Sequence, residues 1–422
     1  MSQQRDETDG ERPILDGIRV IDMASFVAGP AAALVLADHG AEVIKVEPPG
    51  GDGYRRLHQL PGMPEPGFDS LWDLDSRGKR SLVLDLKAAA DRAVLDQLIE
   101  TADIFLTNQP LPARRRMGLT WEAVSARNPR LIYASLTAFG ETGPDADGTA
   151  FDASSLWARS GLMHQLRSAP EAAPAMSVPG QGDHPTAIAL FGAIMLALYE
   201  RQRSGRGRHV HTSLLANGLW SNAILAQGAL AGAAVPPRRA RQAPFTVLVN
   251  IYRGADGNWF MLTGVEPERD WQRLLQVIER PDLAADPRFA TAEGRAAHAA
   301  ALTALLDEVF ATRSWPDWSA RLQAAQLSAG PVLSTEQAAE SAQSAACGAV
   351  AAAPPGSAVS RTVMPPLWVD GAARPEPRPA PQLDADGPAI RAALAAGRSP
   401  WTGGQGSAAQ GPGRDDDGGR RP

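Results

Sequence analysis

One cysteine, Cys347, stands in a chain of 422 residues. An internal disulfide is therefore impossible and no cysteine-based metal cluster can form, so a reducing cytoplasm is the expected compartment. Cys347 lies in an alanine-rich stretch with nothing nearby to lower its pKa, which argues against a nucleophilic role. Long apolar runs are also missing. No stretch of about 18 apolar residues occurs, and the opening MSQQRDETDGER lacks the apolar centre of a secretory signal, so no membrane association is expected. Positive charge is not in surplus: 41 Lys+Arg against 47 Asp+Glu leave a net charge of −6 and a pI of ≈ 5.7. That balance speaks against a nucleic-acid partner, although the clusters Arg114 to Arg116 and Arg238, Arg239 and Arg241 could meet phosphates. Internal repeats and heptad runs are absent as well.

What the chain does have is 44% hydrophobic content, enough for a sizeable core and for two or three domains. Ile18 to Met23 (IRVIDM) reads as a buried strand, Gly29 and Pro30 open a helix through His39, and Ala41 to Val46 (AEVIKV) reads as a second strand. Strand, helix, strand at this spacing predicts a parallel βαβ unit. The alternation continues with strands at Ser81–Leu86, Ile104–Thr107, Leu131–Leu136 and His209–Leu214, and a helix over Ala88–Thr101. Yet the first turn reads SFVAGP rather than G-x-G-x-x-G, so the pyrophosphate fingerprint of nicotinamide enzymes is lacking.

Further on, a Pro- and Arg-rich linker, Pro236 to Pro244, precedes a hairpin over Asn250–Thr263 that turns at Asp256-Gly257. Helices are predicted at Glu268–Ile278, Arg295–Thr312 and Trp315–Ala325, with Trp259, Trp271, Trp315 and Trp318 in the core of this region. The expected fold is α/β: a Rossmann-like parallel-sheet large domain over residues 13–230, a smaller α+β domain with linkers over 231–340, and a segment, 341–396, that returns to the large domain. The ends, 1–12 and 397–422, are polar or Gly-rich and are expected to be disordered.

The candidate chemistry centres on Ser177 to Gly207. Gly180, Gly182 and Pro185 break the backbone around Asp183, and an apolar helix then runs from about Ala187 to Gln202. Asp183 at a helix start has an ordinary reading as an N-cap. The glycines beside it also permit close approach of another molecule, and the helix end is expected to keep the carboxylate ionised. An ionised, accessible carboxylate can act as a nucleophile. A basic cluster, Arg77, Lys79 and Arg80 ahead of one strand and Lys87 after it, is either solvated surface or a seat for a polyphosphate.

Several stretches in one order carry a family resemblance: ILDGIRVIDMASFVAGPAAALVLADHGAEVIKVEPPGGD, SRGKRSLVLDLK, NPRLIYASLTAFGETGP and QGDHPTAIALFGAIMLALYERQRSGRGRHVHTSLL among them. The chain resembles the class III (family III) coenzyme A transferases, the CaiB/BaiF-like group that includes formyl-CoA transferase and carnitine CoA-transferase together with acyl-CoA racemases. The resemblance implies that Asp183 is the catalytic aspartate. It implies that Lys87, Asn108 and Arg116 surround the CoA moiety, and that the loop of Val27, Ala28, Gly29 and Pro30 lines the active site; for the chemistry itself, N–H groups near Gly180 to Gly182 and in the Val27 to Gly29 loop are the expected donors to the developing oxyanion. It further implies an acyl-CoA donor, a carboxylic acid acceptor, no cofactor beyond CoA as substrate, no metal, and an interlocked homodimer.

Three departures from formyl-CoA transferase stand out: Val27 replaces a glutamine, Asn108-Gln109-Pro110-Leu111-Pro112 replaces the usual Asn-Phe/Tyr-x-Pro-Gly, and no Gly-rich flap precedes Asn250. The racemases carry Gly-His-Asp where this chain reads Ala150-Phe151-Asp152, so racemisation with Asp152 as a base is the alternative, and a non-catalytic CoA-binding homologue a third. Asp152 otherwise reads as an N-cap or surface acid, and His184 either tunes Asp183 or faces solvent. Val27 and Phe151 point to a less polar acyl pocket, for aromatic, branched or dicarboxylic substrates.

Overall fold

The computed structural model of the protein describes residues 12–64, 67–375 and 377–402. Most of the two expected disordered ends, residues 1–11 and 403–422, lies outside the described residues. The chain forms two compact units. One comprises residues up to 156, 179–217 and 352 onward; the other comprises 157–178 and 218–351. The division differs from the sequence expectation in that 157–178 and 218–230 belong to the second unit, and the return begins at 352 instead of 341.

The first unit is built on a parallel six-stranded sheet: β1 (Arg19–Asp22), β2 (Glu42–Glu47), β3 (Arg80–Val83), β4 (Ile104–Thr107), β5 (Ile132–Thr137) and β6 (His209–Ser213). Their order is β3-β2-β1-β4-β5-β6, with Ile21 paired to Ile44 on one side and to Phe105 on the other. The crossovers carry α1 (Ala28–Asp38), α2 (Ser70–Ser76), α3 (Ala89–Thr101), α4 (Leu111–Met117) and α5 (Trp121–Arg127). The strands read as near-continuous apolar runs because both faces are covered. Strand order reverses between β1 and β4, and in such sheets the crevice beyond the carboxyl ends at that point is where ligands bind.

After β5 the chain adds α6 (Leu162–Gln165) to the second unit and comes back as α7 (Asp183–Ser204), 22 residues long. Thr186, Leu190, Ile194, Ala197 and Arg201 form its buried stripe, packed against α1, which is buried along nearly its whole length. Each Leu or Ile on that stripe contributes about 1.5–3 kcal/mol of apolar burial.

The second unit takes α8 (Leu214–Ser221) from residue 218 on, α9 (Ala223–Leu230), and an antiparallel sheet of β7 (Val249–Arg253), β8 (Trp259–Thr263) and β9 (Ser328–Pro331). Helices α10 (Pro267–Val277), α11 (Ala292–Ala297), α12 (Ala299–Phe310) and α13 (Trp315–Ala324) complete its core. Trp271 and Trp318 are buried there, and Trp315 stacks on Phe260 at 4.9 Å. Trp259 is not a core residue. It lies in β8 between Phe260 and the turn, its side chain on the solvent face, and is 38% exposed.

After α14 (Thr335–Glu340) and α15 (Ala342–Ala346) the chain rejoins the first unit, ending in α16 (Gly387–Ala395). Residues 397–402 are not tail: Trp401 is buried among Leu95, Leu98 and Ile390, and its indole N–H donates to Thr101 Oγ1 at 2.9 Å.

Candidate active site

Asp183 opens α7, but not as its cap. Gly182 holds the N-cap position, and the Asp183 carboxylate accepts no hydrogen bond from any described residue. Gly182 is required sterically, since a Cβ there would fall 2.8 Å from Leu156 Cδ1 and 3.2 Å from Asp152 Cβ. This tight turn presses Asp183 close to Asp152. Burial pushes the Asp183 carboxyl up to about 7, with Asp152 and Asp75 adding to the rise and His184 opposing it. The expectation that the helix end alone keeps this group ionised is therefore overturned: desolvation outweighs the dipole.

His184 follows Asp183 and does not simply face solvent. Its Nδ1 lies 3.2 Å from the Gly180 carbonyl oxygen and its Nε2 3.1 Å from Asp75 Oδ1. Both partners are acceptors, so the ring donates from both nitrogens and is an imidazolium. Burial alone would lower its pKa, but the hydrogen bond and charge of Asp75 raise it to about 9. Asp75 is inaccessible and receives the Tyr54 hydroxyl at 2.5 Å on its other oxygen.

Asp152 is neither a surface acid nor a free base. It is buried, with Oδ1 accepting from Ala153 N at 2.7 Å and Oδ2 from Gly182 N at 3.2 Å. The Gly182 N–H is thereby spent, and it does not face a substrate.

A cleft of about 440 Å³ opens at the carboxyl edge of the sheet, lined by the β1–α1 loop, the β4–α4 loop, the segment around Phe151, and Asp183. Val27, Ala28, Asn108 and Asp183 line it together. Asn108 shapes the loop: its Oδ1 accepts from Ser25 N at 2.8 Å and its Nδ2 donates to Ser25 O at 2.7 Å. Gly29 lets α1 start there, because a Cβ would sit 2.4 Å from Ala24 Cβ. The N–H groups of Ala28 and Gly29 find no acceptor among the described residues, which leaves them for an anion.

Phe26, just before, has φ 61°, a left-handed conformation uncommon for an aromatic residue. Asp52 holds it, accepting from Phe26 N at 3.1 Å and Tyr54 N at 3.0 Å while its other oxygen meets Lys45 Nζ at 2.9 Å. Lys45 also donates to Ala24 O, and Lys79 donates to Asp22 at 2.9 Å and to Pro30 O at 2.7 Å. A buried charge lattice thus anchors both ends of the loop.

The polyphosphate reading of the basic cluster fails for three of its members. Arg77 pairs with Asp38 at 2.8 Å, Lys79 with Asp22, and Arg80 with Glu42 at 2.8 Å, all buried. Lys87 and Arg116 are exposed and are not among the residues that line the cleft. Sequence reasoning missed Asp75, Tyr54 and Phe26: Asp75 lies 109 positions from His184, and no local pattern marks a left-handed phenylalanine.

Among the described residues no group of three or more His, Cys, Asp or Glu could hold a metal, and no helix is long and apolar enough to cross a membrane. Known proteins place the chain in a family. Acetyl-CoA:oxalate CoA-transferase of Acetobacter aceti is 32% identical over 389 residues, covering 90% of this chain and 96% of that one. Succinyl-CoA–D-citramalate CoA-transferase of Chloroflexus aurantiacus is 35% identical over 311 residues, 72% of this chain and 74% of its own. A crystal structure of a CaiB/BaiF family protein from Brucella suis superposes with a TM-score of 0.79 at 30% identity, covering 91% of this chain and 100% of that one. The profile of the family described as CoA-transferase family III matches residues 15–387. That match runs through both units and every residue lining the cleft, and the chain belongs to the family III CoA-transferases and is an enzyme of that family.

Proposed function

We propose that this enzyme carries CoA from a CoA thioester to a carboxylic acid through covalent intermediates on Asp183. The carrying observation is an acid in the first turn of α7, with no protein hydrogen-bond donor, on the wall of a cleft at the sheet's switch point. Ionised Asp183 attacks the thioester carbonyl, the C–S bond breaks, and CoA thiolate leaves behind a mixed anhydride. The thiolate attacks the aspartyl carbonyl, the anhydride C–O bond breaks, and the first acid departs as its carboxylate from an aspartyl-CoA thioester. The acceptor carboxylate attacks that thioester, expelling thiolate and forming a second anhydride. Thiolate then attacks the acceptor's acyl carbonyl and Asp183 returns as a carboxylate. Charge balances at each step without net proton transfer. The N–H groups of Ala28 and Gly29 are the donors suited to the developing oxyanion.

Lys87 and Arg116, exposed and without an acidic partner among the described residues, suit the phosphates of CoA. Val27 and Asn108 line the path to Asp183, and Gly182 serves by placing it. No cofactor beyond CoA enters these steps. Trp220, 81% exposed, and Ile224, 89% exposed, support the homodimer that the resemblance implies, working in the cytoplasm; sedimentation that finds only monomer removes the dimer. Racemisation is not favoured, since the oxygens of Asp152 are both committed to backbone N–H groups.

Asp183→Ala is expected to lower transfer by roughly 10⁴-fold or more and to abolish the hydroxamate formed when hydroxylamine traps the acyl-enzyme. Transfer or hydroxamate at the unmodified enzyme's level removes Asp183 from the mechanism.

A further inference from the structure

Resting on that transfer reading, we propose that the cleft takes monocarboxylic acids whose chain is aromatic or branched and apolar, and rejects acids that carry a second carboxylate. Two independent features of the cleft lead there, one of shape and one of charge.

The shape is set by two rings. Phe26 is fixed in its left-handed backbone conformation by Asp52, and its ring rests on Gly53, where a Cβ would come within 3.0 Å of Phe26 Cζ. Phe151 meets it edge to face, with centroids 5.3 Å apart and planes at 84°. Both rings line the cleft with Asp183, and Phe151 is 63% exposed. An aromatic wall left this open gains most from an apolar group that covers it.

The charge is one-sided. Among the described residues none that lines the cleft is a lysine, arginine or histidine. Asp183 lies on the wall with Asp152 and Asp75 close by, and the neighbouring cation, His184, is held by Asp75. The two cleft amides are turned onto the β1–α1 loop: Asn108 exchanges hydrogen bonds with the Ser25 backbone, and Gln109 Nε2 donates to Ser25 Oγ at 3.3 Å. The N–H groups of Ala28 and Gly29 form the anion seat beside Asp183, and the reacting carboxylate fills it. A second carboxylate would lose its water beside acids with no cation to meet it, which is costly.

The test uses the full-length enzyme and two CoA thioethers of matched length, S-(3-phenylpropyl)-CoA and S-(3-carboxypropyl)-CoA. Neither has a carbonyl to attack, so titration calorimetry reads the pocket without turnover. The phenyl thioether is expected to bind at least tenfold more tightly, within the range of about 10- to 200-fold that an apolar pocket supplies. Phe151→Ala should cut that ratio about tenfold, while Phe151→Leu, which keeps bulk at this exposed site, retains most of it. A ratio near one or reversed in the unmodified enzyme, or a ratio indifferent to Phe151→Ala, overturns the inference. Hydroxylamine trapping with a panel of acyl-CoA donors runs alongside. A phenyl preference with no trapped adduct from any donor sinks the transfer reading and leaves the pocket inference standing; an adduct without the preference does the reverse.

Discussion

The second unit closes on rings and aliphatic chains, with Trp271, Tyr252, Phe260, Phe310 and Trp318 all nearly inaccessible. The first unit instead buries Asp22, Lys45, Lys79 and Asp75 around its cleft. In the second unit the buried polar groups tie helices to one another: Asp270 accepts from Glu266 N at the start of α10, and Arg295 of α11 donates to Phe289 O and to Glu268 of α10 at 2.6 Å. In the first they reach across the chain to the β1–α1 loop, to α2 and to the turn before α7. Buried ion pairs rarely add net stability over apolar residues of the same volume. The contrast therefore teaches that the charges of the first unit hold geometry, whereas the rings of the second hold the fold.

The sharpest way to break that contrast is a matched pair of substitutions. Asp22→Ala removes the carboxylate that pairs with the buried Lys79 ammonium and should cost about 3–5 kcal/mol. Phe310→Ala empties part of the other core and should cost a similar 3–5 kcal/mol, both read by urea unfolding. Only Asp22→Ala is expected to depress kcat of the folded enzyme, because it releases Lys79 from its place under Pro30. An equal fall in kcat for Phe310→Ala would erase the distinction.

A smaller effect concerns pH. In the proposed mechanism Asp183 attacks as its carboxylate, so transfer is expected to rise with pH through about 7. His184 stays charged up to about 9 and favours the ionised form of its neighbour. His184→Gln should move the rising limb upward by about one pH unit, a shift that loss of packing alone would not produce. An unmoved limb would leave His184 no electrostatic part.

The same group should also tie stability to pH. Folded Asp183 keeps its proton up to about pH 7, whereas an unfolded aspartate releases it near 3.8. Between those values the folded state binds the extra proton, so stability declines as pH rises and levels off above about 7. Asp183→Asn should remove that decline from the curve of urea midpoint against pH. A slope unchanged by the substitution would mean that Asp183 titrates normally.

Much of the framework was legible because it is local. Strand β4 occupies Ile104–Thr107 as its apolar run predicts, and the Asp256-Gly257 turn joins β7 to β8 as expected. The parallel alternation carried the fold class, and the Gly-Asp turn located the start of α7. What stayed hidden depends on partners far away in sequence. Lys79 looks like a phosphate ligand until Asp22, 57 positions earlier, folds beneath it. Arg80 likewise finds Glu42, and His184 finds Asp75. The raised pKa of Asp183 follows from how deeply a turn is packed, which composition does not record.

The Trp401 contact bears on anyone who shortens this chain. A truncation placed where glycine-rich composition begins to suggest a tail, at 397, would discard the indole that fills the space beside Leu98. It would also discard Thr402 N–H, which donates to the Glu42 carboxylate, and the Pro400 carbonyl that receives Arg80. Glu42 begins the strand next to β1, so trimming so far from the cleft would loosen the floor on which the loop before α1 rests. Expression designs should keep the polypeptide intact through at least Thr402.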